Sequence, residues 1–221
     1  MTAATRFVRD NTAVAAPPLV PEVRLHLACE VTPIWQATET ELERNGLEPP
    51  FWAFAWPGGQ ALARHVLDNP QTVRGKRVLD IAAGCGLAAI AAARAGALAV
   101  VANEIDAFAA TALALNAALN DAPVTVVRRD LLNDVVAGRF DVILAGDVCY
   151  ERTMSGRMVP WLRARAAAGA LVLLGDPGRA YLPATGLAEV ARYEVPTTLE
   201  LEDRTVRTTT VWRVLAAERA A

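Results

Sequence analysis

The chain has 221 residues, of which 53% are hydrophobic and 21% are charged, with a formal net charge of −2. This size fits one α/β domain with an extension, and the lack of a basic excess argues against a nucleic-acid partner. No apolar run reaches the ~18 residues of a membrane span, and three cysteines without a CxxC pair argue against both a disulfide framework and a metal site.

The N-terminal stretch carries few signs of regular structure. Residues 1–24 are predicted to be irregular, because three prolines between positions 17 and 21 exclude a long helix. The opening sequence MTAATRFVRD contains no continuous apolar signal region. We therefore expect a cytoplasmic protein with no membrane partner.

Two helices are predicted before residue 71. Thr32 as N-cap and Pro33 at the first helical position predict a short helix to about Asn45, with Gly46 as its stop. The aromatic and proline-rich segment at 49–59, PPFWAFAWPGG, then leads into a second helix. Asn69-Pro70 ends that helix, since the residue before a proline disfavours helical geometry.

The segment VLDIAAGCGLAAIAAA, residues 78–93, predicts a strand, a tight turn and an alanine-rich helix. Gly84 and Gly86 allow the backbone to approach a ligand, and the helix start offers unpaired N–H groups. The next strand ends in Glu104, which is placed to accept hydrogen bonds from two ribose hydroxyls. The loop also satisfies GxGxxG/A, so by itself it leaves a dinucleotide cofactor open.

Asp80 distinguishes between the cofactor classes. A carboxylate just before the turn repels a pyrophosphate, which prefers backbone N–H groups and a helix dipole. S-adenosylmethionine carries a sulfonium and an α-ammonium and has no phosphate, so the same carboxylate favours its binding. Asp80 therefore predicts S-adenosylmethionine as the cofactor.

From Lys76 onward, apolar runs alternate with helical stretches, which implies a parallel sheet covered on both faces. The predicted strands are 77–82, 98–103, 124–128, 141–146 and 170–175, and the predicted helices lie near 87–95, 107–119 and 154–168. Residues 190–201 and 206–215 alternate around a charged turn and predict an antiparallel hairpin. The total is seven strands, against the six of a dinucleotide fold.

The fourth predicted strand is followed by GDVCYE, residues 146–151. Ligands bind outside the carboxyl ends of strands in such sheets, so Asp147 and Tyr150 are the candidate catalytic residues. The acid can orient an incoming amine, and the aromatic ring can contact its positive head. The alternative interpretation is that Asp147 caps the following helix and Tyr150 packs.

These motifs together resemble the seven-strand protein-lysine methyltransferases with a DxxY motif, and among them the electron transfer flavoprotein β-subunit lysine methyltransferases. The matching segments, which span most of the chain after residue 49, are PPFWAFAWPGGQALARHVLDNP, VLDIAAGCG, ANEID, GDVCYE, GDPGR and TTTVW. The resemblance implies an α/β, Rossmann-like fold with a C-terminal antiparallel hairpin. We expect residues 1–70 to form an extension that packs on the core and lines the cofactor and substrate site, and 71–221 to form the methyltransferase core.

The resemblance also implies which residues contact S-adenosylmethionine. The expected contacts, in addition to Asp80, are the loop from Ala82 to Gly86, which includes Gly84, and the residues Trp56, Glu104, Asp130, Leu131 and Gly146. Asp130 is expected to accept from the adenine amino group and Leu131 or its neighbour to cover the ring, while Trp56 has ordinary packing as its alternative. Ala82 stands where the family often has its first glycine, and we interpret this as a mild variation.

The substrate implied by the resemblance is lysine on the β-subunit of electron transfer flavoprotein, with S-adenosylhomocysteine as the other product. A small-molecule N-methyltransferase acting on a nicotinamide-like amine and a non-enzymatic S-adenosylmethionine-binding regulator are the alternatives. Arg179, in GDPGR, is predicted to anchor the substrate loop or to pair with an acid in the site, with a capped turn as its alternative.

Overall fold

The central sheet of the protein has seven strands in the order β5-β4-β3-β6-β7-β9-β8. The computed structural model describes residues 2–28, 49–133, 140–199 and 201–216. The α-helices in these ranges are α1 (Ala3–Asp10), α2 (Pro57–Asp68), α3 (Leu87–Arg94), α4 (Ala107–Leu119) and α5 (Arg152–Ala167). The strands are β1 (Ala13–Ala15), β2 (Leu25–Leu27), β3 (Arg77–Ile81), β4 (Ala99–Asn103), β5 (Val124–Val127), β6 (Val142–Gly146), β7 (Leu171–Asp176), β8 (Leu187–Pro196) and β9 (Val206–Val214).

Strands β3 to β7 run parallel, and β9 pairs antiparallel with both β7 and β8. This confirms the predicted α/β fold with a C-terminal antiparallel hairpin. The hairpin begins at Leu187, three residues before the predicted start, on a strand whose side chains are mostly exposed. Such an edge strand gives a weak alternation signal, so its boundary is difficult to predict.

Alternating side chains of the parallel strands enter two cores. Val78 and Leu144 lie in one core with residues of α2 and α3, whereas Leu79 and Ile143, which are register partners, lie in the other with residues of α5. Burial on both faces explains why these strands are continuous apolar runs in the sequence.

The structure corrects the prediction for residues 1–24. Helix α1 begins after Thr2, whose side chain accepts a hydrogen bond from the Thr5 backbone, and β1 pairs with β2. The prolines lie between these strands, so they exclude helix only there and leave the preceding residues free to form α1. The helix predicted from Pro33 to Asn45 lies outside the described residues.

Helix α2 rests on the carboxyl ends of β6 and β7 through glycine contacts. A Cβ at Gly58 or Gly175 would overlap the carbonyl oxygen of the other residue, and a Cβ at Gly146 would lie 2.9 Å from the Gly59 nitrogen. Backbones can approach this closely only where side chains are absent. These contacts bring the start of α2, with the aromatic segment before it, to the edge of the sheet where ligands bind. In the described ranges, no helix combines the length and apolar character needed to cross a membrane.

Candidate active site

A small cavity opens where β3 and β6 end beneath the start of α2. Six of the predicted site residues line it: Trp56, Asp80, Ala82, Gly84, Gly146 and Asp147. Phe54, Gly59 and Cys85 are also in its wall. Gly86, Glu104, Asp130, Leu131 and Tyr150 are not among its lining residues.

The loop after β3 has three residues in the left-handed region, with φ of 53° at Ala82, 52° at Gly84 and 80° at Gly86. Glycine adopts this conformation without penalty, whereas other residues are strained there by about 1–2 kcal/mol. Ala82 is therefore a more costly variation than its small size suggested. The strained turn places the backbone of residues 82–84 at the cavity wall.

Asp80 is buried at the floor of the cavity. Its Oδ2 accepts a hydrogen bond of 2.9 Å from the Ala89 backbone in the first turn of α3. Burial raises the pKa of Asp80 to about 7, although the bond from Ala89 lowers it. Among the described residues no cation lowers the pKa of Asp80, so a cationic ligand in the cavity would stabilise its ionised form.

Glu104 connects the end of β4 to the glycine loop. Its Oε2 accepts from Gly84 N at 3.0 Å, and its Oε1 accepts from Ile105 N at 2.8 Å. Burial raises the pKa of this carboxyl, while the backbone donors lower it. A carboxylate has about four acceptor positions, so hydroxyl donors can still bind it. The bond to Gly84 fixes the carboxylate beside the loop.

Asp130 lies farther along the same edge of the sheet, after β5. Its Oδ2 pairs with Arg157 of α5 at 2.6 Å, and its Oδ1 accepts from Leu132 N at 3.0 Å. The hydrogen bond from Arg157 lowers the pKa of Asp130. Leu131 begins a 3-10 turn and is buried against the core that includes Ile81. Contact of these two residues with the cofactor stays a prediction.

Asp147 follows β6 and its side chain is almost fully buried. Its Oδ2 accepts from Gly59 N at 3.1 Å, in the first turn of α2, and its Oδ1 accepts from Arg179 Nη2 at 2.9 Å. The N-cap of α5 is Glu151, so Asp147 does not cap the helix that follows it. Burial raises the pKa of Asp147 to about 6, although the charge and hydrogen bonds of Arg179 lower it. A carboxylate with this pKa is ionised at neutral pH.

Arg179 is held between two acids. Its Nη2 contacts Asp147 and also Glu202 Oε1 at 2.7 Å, and its guanidinium lies over the Trp56 ring, 5.6 Å from the centroid. The pairing with an acid of the site, one of the two functions predicted for Arg179, is present in the structure. Asp176, at the end of β7, fixes the Arg179 backbone, because its Oδ1 accepts from Arg179 N at 2.7 Å.

Tyr150 lies at the rim and not in the cavity wall. It is 41% exposed, and its ring packs against Phe51 with centroids 5.5 Å apart. Phe51 in turn contacts Trp56 edge-on and accepts a hydrogen bond from its indole N–H at 2.8 Å. The rim is therefore aromatic on one side and accessible to a ligand approaching from solvent.

Three parts of the site were not predicted from the sequence: Asp176, Glu202 and the glycine pair Gly58-Gly59. An aspartate after a buried apolar strand is a signal that could have identified Asp176, in the same way as it identified Asp147. Glu202 lies in a hairpin loop and carries no local signal. Its position beside the site results entirely from the antiparallel return of β9.

Comparison with known sequences gives one family model and several relatives. The model described as Methyltransferase small domain matches residues 56–146. The electron transfer flavoprotein beta subunit lysine methyltransferase of Rattus norvegicus is 38% identical over 216 residues, covering 93% of this chain and 82% of that protein.

Solved structures share the fold at lower identity. The ribosomal protein L11 methylase of Lactobacillus delbrueckii subsp. bulgaricus superposes with a TM-score of 0.52 at 23% identity, over 72% of this chain and 78% of that chain. The magnesium protoporphyrin IX methyltransferase of Synechocystis PCC 6803, solved with bound SAM, gives 0.51 at 17% identity, over 70% and 79%. These likenesses concern the fold alone.

Proposed function

Because this chain belongs to the electron transfer flavoprotein β-subunit lysine methyltransferase family, we propose that it transfers methyl groups from S-adenosylmethionine to lysine side chains on the β-subunit of that flavoprotein. The family membership confirms the resemblance found in the motifs. The observation that carries the proposal is the buried Asp147 carboxylate, which shares one cavity with Asp80 and the glycine loop. A carboxylate beside a methyl donor can accept a hydrogen bond from an amine nucleophile and orient it for attack.

The residues around the cavity fit S-adenosylmethionine in their chemistry. Asp80 offers a buried negative charge to a cationic ligand, and Glu104 offers carboxylate oxygens to hydroxyl groups. The turn at Ala82 to Gly86 exposes backbone at the wall, and Trp56 adds an aromatic surface. When bound, S-adenosylmethionine supplies an electrophilic methyl group on sulfur. We propose that Gly146, Asp130 and Leu131 complete this cofactor site.

The lysine amine must be neutral and aligned before it reacts. An unperturbed lysine has a pKa of about 10.4, and transfer from water to a drier site lowers it. Asp147 would accept a hydrogen bond from the amine and orient its lone pair, while solvent takes the proton. Tyr150 and Phe51 at the rim would contact the methylene chain of the lysine. Orientation of this kind can supply a large part of the rate enhancement.

Three finer expectations belong to the same proposal. We propose that residues 1–70 act as an extension which completes the site, and Trp56 and Gly59 in the cavity wall support this division. A cytoplasmic location and the absence of a nucleic-acid partner also stay predictions, the latter supported by the net charge of −2.

Cofactor affinity is expected to depend on pH through Asp80. The pKa of Asp80 is raised to about 7 without a ligand, and a bound sulfonium and ammonium lower it, so binding below that pH releases a proton. The affinity should fall by up to about tenfold for each pH unit below 7 and level off above it. Calorimetric titration with S-adenosylmethionine across this range measures the slope.

Two matched variants distinguish the effect of Asp80 on the pH dependence from the effect of Asp147, the other acid in the cavity wall. Asp80→Asn retains an acceptor for Ala89 N and should bind weakly with little pH dependence, whereas Asp147→Asn should keep the wild-type slope. A wild-type affinity that is flat across pH 7, or a slope that survives in Asp80→Asn, contradicts the assignment of Asp80.

The substrate class is tested by competition between two acceptors. With labelled S-adenosylmethionine, the folded flavoprotein should be methylated far faster than free nicotinamide, because only a protein can contact the exposed aromatic rim as well as the cavity. Conversion of the target lysines to arginine in the flavoprotein should abolish the labelling. Equal or faster turnover of nicotinamide would favour the small-molecule alternative, and cofactor binding without any turnover would favour the regulator.

A further inference from the structure

The guanidinium of Arg179 contacts one oxygen of the Asp147 carboxylate, the group proposed to orient the substrate amine. Its Nη2 and Nε lie 2.9 and 3.3 Å from Asp147 Oδ1, and Asp147 Oδ2 already accepts from the Gly59 backbone. Both oxygens of the proposed orienting carboxylate are therefore engaged in the ligand-free protein. Oδ1 already accepts two hydrogen bonds from the guanidinium, so a lysine head group that binds this oxygen must displace Arg179.

Arg179 has a second partner that does not depend on Asp147. Its Nη2 and Nη1 donate to the two oxygens of Glu202 at 2.7 and 3.3 Å. Glu202 is itself fixed, since Arg207 Nε donates to it at 3.0 Å and its backbone N–H donates to Thr198 O at 2.9 Å. The side chain of Glu202 is only 3% exposed, and it pairs with the guanidinium groups of both Arg179 and Arg207.

The base of Arg179 is fixed as well. Asp176 Oδ1 accepts from the backbone N–H groups of Gly178 and Arg179, each at 2.7 Å. The Trp56 ring lies under the guanidinium and gives it a cation–π contact. Loss of the contact with Asp147 would leave Arg179 held by Glu202, Trp56 and its own backbone bonds.

We propose that Arg179 is the internal counter-ion of Asp147 in the free enzyme, and that the substrate lysine displaces it from Asp147 while Glu202 retains it. The inference rests on the proposed function, in which Asp147 orients the lysine. Arg179 is then a positioning residue. It stabilises the ionised Asp147 carboxylate before substrate binds, and the strength of the Arg179–Asp147 ion pair determines the KM for the substrate.

The charges around Asp147 explain why a counter-ion is needed. Burial raises the pKa of Asp147, and the charge of Asp176 on β7 raises it further, while Arg179 and the first-turn N–H of Gly59 in α2 lower it. Asp80 of β3 shares the same cavity wall. The neighbouring thiols of Cys85 and Cys149 stay neutral, since burial raises their pKa values to about 12 and about 11. Among the described residues, Arg179 is the cation whose charge lowers the pKa of Asp147 against the effects of burial and Asp176.

Two substitutions should change the KM for the flavoprotein in opposite directions. Arg179→Gln removes the cation that competes with the substrate for Asp147. When KM is measured well above the pKa of Asp147, it should therefore fall about threefold or more. Glu202→Gln removes the carboxylate that competes with Asp147 for the guanidinium, which strengthens the contact between Arg179 and Asp147, so KM should rise by about the same factor. A purely structural ion pair predicts that both variants impair the enzyme in the same direction.

The pH profile gives a second readout. In Arg179→Gln the acid limb of kcat/KM should move upward by about one pH unit, because an opposite charge at this distance lowers a carboxyl pKa by about that much or more. Carboxyl ¹³C NMR of aspartate-labelled enzyme should show the same upward shift of the Asp147 midpoint, and this measurement needs no substrate. Arg179→Lys keeps the charge and should leave the limb at its wild-type position.

Arg64→Gln is the matched control. Arg64 also bridges two carboxylates, Glu22 at 2.7 Å and Asp68 at 2.8 Å, and its side chain is 19% exposed compared with 17% for Arg179. It lies outside the proposed site, so its loss should change neither KM nor the acid limb.

Several results would overturn the proposal. One is an increase of KM in both Arg179→Gln and Glu202→Gln. Another is a titration midpoint of Asp147 that does not move in Arg179→Gln. If Arg179→Gln does not fold, an unchanged or lower KM in Glu202→Gln overturns it equally. Methyl transfer by the wild-type enzyme tests the proposed function, whereas the variants and the NMR midpoint test the inference, so the two failures are distinguishable.

Discussion

Asp147→Asn is expected to lower the rate of methyl transfer to the flavoprotein about 100-fold, which corresponds to about 2.7 kcal/mol of barrier. A hydrogen bond between a charged acceptor and its donor contributes about 1.5–3 kcal/mol, and the amide is a poorer acceptor that also presents an N–H₂ group. Single-turnover measurements with saturating S-adenosylmethionine report the chemical step directly.

Asparagine keeps the backbone conformation of the residue and its hydrogen bond to Gly59, although it loses the charge that pairs with Arg179. Asp147 has a φ of 54°, in the left-handed region that aspartate and asparagine tolerate better than most residues. The amide oxygen can still accept from Gly59 N. The pKa of Asp147 is raised to about 6 in the folded protein, so the folded state binds this proton more tightly than the unfolded chain does. The stability that results is lost as the pH rises through about 6. Removal of the charge should therefore not destabilise the fold at neutral pH, and a variant with near wild-type turnover would exclude Asp147 from the reaction.

Gly58→Ala is expected to destabilise the protein by about 3 kcal/mol, or to lower Tm by about 10 °C for a chain of this size. The new Cβ would overlap Gly175 O and would lie 2.8 Å from Asp147 N. Both are backbone atoms, so no side-chain rotation relieves the contact. Helix α2 would have to move away from the ends of β6 and β7, which also separates Gly59 N from Asp147. Thermal melting of the cofactor-free protein measures the effect.

The adjacent glycine is the control for this substitution. A Cβ at Gly59 meets no atom within 4 Å, and alanine is favoured over glycine inside a helix by about 0.5–1 kcal/mol. Gly59→Ala should therefore melt at the same temperature as the wild type or higher. Equal destabilisation by the two substitutions would show that the close approach of α2 to the sheet does not contribute to stability.

The strands were predictable because their sequences are unusual. β3 was predicted over 77–82 and spans Arg77–Ile81, and β6 was predicted over 141–146 and spans Val142–Gly146. Burial on both faces requires continuous apolar runs, and such runs can be recognised in the sequence without knowledge of the tertiary structure. Helix α1 contradicts the prediction because its cap at Thr2 is a short local signal, and the prolines at 17, 18 and 21 lie after the helix and do not affect it.

The acids at the strand ends were predictable for a topological reason, but their partners were not. Asp80 and Asp147 each follow or end a buried strand, so their side of the sheet can be inferred. The contacts of Arg179 with Asp147 and Glu202 join residues 32 and 23 positions apart. Such pairs depend on the packing of loops from different parts of the sheet, and no periodic pattern records them.

The protein is proposed to methylate lysine on the β-subunit of electron transfer flavoprotein, with Asp147 orienting the amine. The most direct measurement is peptide mass spectrometry of the purified flavoprotein after incubation with S-adenosylmethionine and either the wild-type enzyme or Asp147→Asn. We expect added methyl groups on lysine side chains of the β-subunit with the wild type and a strongly reduced yield with the variant. A wild-type reaction that leaves these lysines unmodified, or that methylates another type of residue, would contradict the claim.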